Sequence, residues 1–229
     1  MKYSVIVADP PWEFSDKLEM SQVKRGAESN YNVLDIEKLF EIPLSEIVDD
    51  NALLCLWCPN VLLENGLALM KKFGFEYRGL YAWVKICKER DSLAETLKVS
   101  FDSIIKETGD WRPVADYIYA LNRISFGMGR IFRGTFEVAL FGKRGKLKVL
   151  DHSQRNVALD FFDENNFDFD INEKHSKKTE KLQDSLDKMF LNSNKLELFA
   201  RRRREGWECC GVECNNEDVF DSIERLKKL

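Results

Sequence analysis

A chain of 229 residues with 44% apolar content is long enough for one substantial core, and its length does not require a second domain. Its 35 Lys and Arg against 39 Asp and Glu leave a formal net charge of −4, which excludes general attraction to a phosphate backbone and confines any nucleic-acid contact to local patches. No apolar segment reaches the roughly 18 residues that cross a bilayer, and no basic-then-apolar leader opens the chain, so a single cytoplasmic domain over residues 1–229 is expected.

The first informative stretch is "YSVIVADPPWEF". Val5 to Ala8 are apolar in continuous rather than alternating order, which is how a strand buried on both faces of a parallel sheet reads. Pro10 and Pro11 end it, since neither has an amide hydrogen for a neighbouring strand. Asp9 to Trp12 would then lie beyond a strand's carboxyl end, where open α/β sheets collect ligands. The competing reading is an Asp-Pro turn with a tryptophan packed beneath it.

A polar stretch from Ser15 to Asn30, with Lys24 and Arg25, reads as a mobile loop beside that turn. "LDIEKLFEIPLSEIV" has helical spacing broken at Pro43, "ALLCLWC" reads as a buried strand, and "NVLLENGLALMKKFG" reads as a helix capped by Asn60 and ended at Gly74. "FEYRGLYAWVKI" follows as one strand or a pair. Strand-helix-strand units of this kind predict a mostly parallel sheet flanked by helices.

From Lys88 to Arg123 apolar residues recur at three and four, predicting two helices inserted before the sheet resumes at "TFEVALFG". A basic hairpin is expected at "GKRGKLKVL", including Lys143 and Arg144, and a loop from Asp151 to Glu173. "SKKTEKLQDSLDKMF" predicts a helix capped by Ser176 with an apolar face of Leu182, Leu186 and Met189. The strand "KLELFA" and the amphipathic helix "EDVFDSIERLKKL" close the chain.

Six cysteines stand at positions 55, 58, 87, 209, 210 and 214. Cys55 and Cys58 have zinc-like spacing, but strand alternation points them to opposite faces, and "CCGVEC" is no standard ligand pattern, so reduced thiols and no metal are expected. With two histidines and no "GxSxG", a Ser-His-Asp hydrolase has little support.

"DPPW" arises by chance in a chain of this length at a rate on the order of one in a thousand or less. Its chemistry is specific. An exocyclic amine on a nucleobase is a poor nucleophile, because its lone pair is delocalised into the ring. The Asp9 carboxylate accepting one N–H and the Pro10 carbonyl accepting the other would draw electron density toward that nitrogen. Proline's locked φ keeps the carbonyl aimed, and Trp12 would offer a stacking face worth about 1–3 kcal/mol to a flipped base.

The carboxyl-terminal stretch "HSKKTEKLQDSLDKMFLNSNKLELFARRRREGWECCGVE", with "DPPW" near the start, resembles the MT-A-seventy family of N6-adenine methyltransferases, whose chains carry a His-Ser-Arg/Lys-Lys-Pro-Glu helix start and "ELFARRRRPGWDVWGNE" or near variants. "NYNVLDIEKL", "MKKFGFEYRGLYAWVK" and "FGMGRIFRGTFEVALFGKRGK" are similar to further family stretches. The resemblance covers most of the chain outside residues 88–123 and 151–173. It implies a Rossmann-like methyltransferase fold of the permuted β type, S-adenosylmethionine as cofactor, and direct transfer to adenine in nucleic acid, DNA in preference to RNA. By position it assigns Asp9, Pro10, Pro11 and Trp12 to the acceptor amine, and Tyr31, Lys178, Glu197, Phe199, Arg201, Arg203 and Glu213 to the cofactor. Lys178 would pair with its carboxylate. Lys24, Arg25, Arg133, Lys143 and Arg144 are the basic residues placed nearest the substrate. Independently, Glu197, Phe199, Arg201 and Arg203 stand two apart and would share one face for as long as a strand lasts.

This chain departs from the family where Thr179 replaces proline and where Cys210 and Val212 replace tryptophan and asparagine. Arg130, Ile131 and Thr135 differ as well. An inactive scaffold of the same fold, binding nucleic acid or supporting an active subunit, is the alternative. A homodimer or a heterodimer with a second methyltransferase-fold subunit is among the expectations.

Overall fold

The computed structural model describes residues 2–13, 35–87, 132, 134–162 and 178–229. Seven strands form one sheet: β1 (Tyr3–Ala8), β2 (Val48–Cys58), β3 (Glu76–Cys87), β4 (Phe136–Arg144), β5 (Val157–Phe162), β6 (Lys195–Leu198) and β7 (Glu208–Cys210), in the order β5-β3-β4-β2-β1-β6-β7. Among the described residues the helices are α1 (Ile36–Glu41), α2 (Leu63–Lys72), α3 (Lys181–Met189), α4 (Val212–Asn215) and α5 (Val219–Leu226).

β1 pairs in parallel with β2 on one side and β6 on the other, and β7 adds in parallel to β6. Its apolar run is buried on both faces, Val5 and Ile6 completely, as the continuous pattern predicts. β4 runs antiparallel to β2. Ile6, Leu54, Leu56, Leu140, Leu196, Leu198 and Ile223 belong to the core, each fully buried side chain stabilising by roughly 1.5–3 kcal/mol. α2 lies close on β2, because a Cβ on Gly66 would meet the Cys58 Sγ at 2.6 Å.

By contact density the chain divides into two compact units. The first comprises Met1–Ala82, Glu137–Asn156 and Glu180–Leu229, and the second Trp83–Phe136 and Val157–Thr179. The helices expected between residues 88 and 123, the loop over 15–30 and the Ser176 cap lie outside the described residues.

Several local expectations are corrected. Asn60 opens a short 3-10 turn, Asn60–Leu62, and makes no side-chain cap at the start of α2. No hairpin forms at "GKRGKLKVL": β4 stops at Arg144, and β3 separates β4 from β5 in the sheet. Gly145 has φ +63 and lies against the Asp50 carbonyl, while the Lys146 amide donates to the Asn51 side chain at 2.6 Å, so the chain turns onto the start of β2 instead. β5 occupies part of the expected loop, because "VALDFF" has strand character hidden among flanking Asn and Asp.

Candidate active site

The turn after β1 is bonded to its surroundings at three points. The Asp9 amide donates to the Leu198 carbonyl at 3.4 Å, extending the β1–β6 pairing one residue past the strand. The Trp12 amide donates to the Pro10 carbonyl at 2.9 Å, closing a three-residue turn around Pro11. The Trp12 indole N–H donates to the Trp57 carbonyl of β2 at 2.8 Å. Trp57 in turn meets Tyr81 edge-on, with ring centroids 6.4 Å apart. At 4% exposure Trp12 presents no face to a base, which corrects the stacking expectation. The indole props the turn from below. Asp9 is half-buried at the carboxyl end of β1.

β6 ends beside it. Two-residue alternation carries Glu197 to the same face as Val7, its register partner, and then fails. The strand stops at Leu198, and Phe199 takes φ +61, a conformation rare for a bulky side chain. The expected shared face of Glu197, Phe199, Arg201 and Arg203 therefore does not exist as a strand face. The return strand enforces this corner. The Ala200 amide donates to the Cys210 carbonyl at 2.9 Å, and a Cβ on Gly211 would lie 2.3 Å from the Ala200 carbonyl oxygen. Only glycine fits there, and from it Glu213 on α4 comes within 3.7 Å of the Arg201 guanidinium.

The four arginines from Arg201 to Arg204 are not an open basic patch. Arg202 pairs with Glu180. Arg204 pairs with Glu180 at 3.2 Å, Asp184 at 2.6 Å and Asp187 at 2.8 Å. Asp187 also accepts from the Trp207 indole at 2.9 Å and lies 3.2 Å from Lys195. Burial works against its charge, but the Arg204, Lys195 and Trp207 hydrogen bonds prevail and hold its carboxyl below the usual carboxylate range. The loop after β6 is thereby fastened to α3.

Glu197 is the perturbed carboxylate of the site. Burial pushes its pKa up, Asp9's charge adds to the rise, and Gln183, Arg202 and Arg204 oppose it. The Gln183 side chain, on the first turns of α3 and 6% exposed, hydrogen-bonds Glu197, while its Oε1 has no partner among the described residues. Sequence reasoning missed Gln183. The available signal was a polar residue on the stripe formed by Leu182, Leu186 and Phe190, all buried.

Of the anticipated site residues, the structure brings together Asp9, Pro10, Pro11 and Trp12 with Glu197 and Phe199, and pairs Arg201 with Glu213; Arg203 is exposed on the intervening loop. Lys143 and Arg144 are not among them. Arg144 is in register with Ala52 and Ala8 with Leu56, so the two basic residues sit roughly 13 Å back along the strands, toward the opposite end of the sheet. Arg144 lies 3.9 Å from Asp50 there. Lys178 is half-buried and belongs to the second unit. Tyr31, Lys24, Arg25 and Arg133 lie outside the described residues. The Cys58 thiol donates to the Leu62 carbonyl at 3.3 Å, and burial pushes Cys55 up to about 12 and Cys58 up to about 11. Among the described residues no group of three or more His, Cys, Asp or Glu could hold a metal ion, and no helix is long and apolar enough to cross a membrane.

A sheet centred on parallel strands, with a polar turn and a half-buried carboxylate at adjoining carboxyl ends, is a Rossmann-like methyltransferase architecture. Sequence comparison gives the family: residues 3–108 and 118–213 match the MT-A70 family, and the chain belongs to it. It is also 25% identical over 226 residues to the Type II methyltransferase M.MunI of Mycoplasma sp, an alignment covering 93% of this chain and 78% of that protein. The chain is thus a methyltransferase of the class that uses S-adenosylmethionine. The polar groups suit such a cofactor: the buried Gln183 acceptor has no partner among the described residues, and the half-buried Glu197 carboxylate beside it can accept from hydrogen-bond donors.

Proposed function

We propose that this chain is an N6-adenine methyltransferase acting on nucleic acid, DNA in preference to RNA. The observation that carries this reading is the Asp9–Trp12 turn, in which the half-buried Asp9 and the Pro10 carbonyl, held by the Trp12 amide, follow one another at the carboxyl end of β1. Similarity to a Type II methyltransferase favours DNA.

The Pro10 carbonyl accepts from the Trp12 amide, and since a carbonyl oxygen has two lone pairs, one remains for the acceptor amine. The Asp9 carboxylate takes the second N–H. Together they raise electron density on a nitrogen otherwise conjugated into its ring, and they aim its lone pair. S-adenosylmethionine, when bound, would supply a sulfonium methyl group, the C–N bond forming as the C–S bond breaks with its electron pair left on sulfur. The methylated nitrogen is strongly acidic, so its proton passes to Asp9 or to water. Glu197, Phe199, Arg201, Arg203 and Glu213 hold the cofactor, and Tyr31 and Lys178 join them on the strength of their motif positions.

Tritiated methyl transfer to DNA and RNA oligonucleotides, followed by nucleoside mass spectrometry, tests the reading. N6-methyladenine in DNA, lost in Asp9→Ala, is the expected result. A labelled cytosine, a labelled protein, or full turnover by Asp9→Ala would overturn it.

A further inference from the structure

Gln183 carries information that the family motifs do not. It is 6% exposed on α3, and its neighbour across the site is the Glu197 side chain. A carboxylate only accepts, so the Gln183 amide must turn its NH2 group toward Glu197 and its carbonyl oxygen away. That oxygen has no partner among the described residues. A buried acceptor left unmade is costly, and its persistence beside a second acceptor marks a place for a donor.

The donor can be characterised. Around Glu197 stand Asp9 on β1, Arg202 and Arg204 on the loop after β6, and the Cys209 and Cys214 thiols, which burial keeps protonated; both arginines already pair with carboxylates of the α3 region. A neutral hydroxyl would satisfy the Gln183 oxygen but leave the Glu197 charge uncompensated. A compact cation with several N–H bonds does both. We propose that Gln183 Oε1 and the Glu197 carboxylate together bind the α-ammonium group of the methyl donor, with Gln183 as a binding residue outside the recognised motifs. The assignment rests on the methyltransferase reading above.

Calorimetric titration with S-adenosylhomocysteine and with its analogue lacking the α-amino group provides the test, since it reads binding and needs no turnover. Gln183→Met, close in shape, should bind S-adenosylhomocysteine about 10- to 100-fold more weakly than the unaltered protein, as expected for one hydrogen bond to a charged group. Both proteins should bind the desamino analogue alike. Equal losses for the two ligands, or none for either, would overturn the assignment while leaving the methyltransferase reading intact. If the unaltered protein bound neither ligand, both readings would fall together. Should Gln183→Met unfold, Gln183→Asn puts the same comparison to a smaller amide.

Discussion

The Asp9 amide is hydrogen-bonded to the Leu198 carbonyl, so the acidic turn of β1 and the strained corner at Phe199 are fixed to each other by backbone. This bond is independent of the Asp9 side chain. Asp9→Asn should therefore keep the fold and the affinity for S-adenosylhomocysteine within a few-fold, while kcat falls about 100- to 1,000-fold or more through loss of the accepting charge. Single-turnover kinetics beside calorimetry checks this, and a parallel loss of cofactor affinity would count against it.

Glu197 gives a pH-dependent prediction. Its pKa is raised in the folded state, first by burial, so the contribution it makes to stability is present when it is protonated and is lost as the pH rises through the folded value. Glu197→Gln should therefore unfold at a higher temperature than the parent at neutral pH, the difference shrinking as the pH is lowered toward about 4, near the ordinary carboxylate range. The same variant should bind the methyl donor more weakly. Thermal melts across pH, paired with titrations, measure both halves.

Asp187 has the opposite sign. Its lowered pKa means that its contribution is present above the ordinary carboxylate value and is lost as the pH falls through the folded one. Asp187→Asn leaves Lys195, 7% exposed, without its partner at 3.2 Å and unfastens Arg204 and Trp207. Because Asp187 is itself partly exposed, a loss of about 2–3 kcal/mol is expected, or roughly 4–12 °C in melting temperature. At acid pH parent and variant should converge.

Gly211→Ala tests the corner. The new Cβ would fall 2.3 Å from the Ala200 oxygen and 2.7 Å from its nitrogen, both backbone atoms that cannot swing aside. A cost of about 2–3 kcal/mol follows, accompanied by weakened cofactor binding because Phe199, Arg201 and Glu213 all hang from that contact. Chemical denaturation and calorimetry would register the two effects, and a variant as stable as the parent would refute the geometry.

The strands around β1 were readable because full burial leaves a plain mark, an apolar run ended by residues that cannot pair. Asp9 was readable for the same reason, as a carboxylate at the end of such a run, whereas Glu197 was reached through the resemblance of its motif. β5 was not, since its polar flanks mask a six-residue strand at the sheet edge. Alternation carried less far than the strand expected over "KLELFA", because the left-handed Phe199 ends it after Leu198. Lys143 and Arg144 looked close to the substrate because composition carries no register; antiparallel pairing with β2 takes them down the sheet. Trp12 illustrates a choice that sequence left open, and its hydrogen bond to Trp57 decides for the packed indole.

A protein that holds an alkylating sulfonium has its own sulfur atoms to fear, since a thiolate competes well for a methyl group. Cys209, beside Glu197 in the sheet, is pushed by burial up to about 11, and burial also raises Cys210 and Cys214. At neutral pH Cys209 is then ionised to roughly one part in ten thousand. If the corner holds the donor as proposed, thiols kept protonated there are poor interceptors of its methyl group, and peptide mass spectrometry after long incubation with S-adenosylmethionine should find these three cysteines unmethylated.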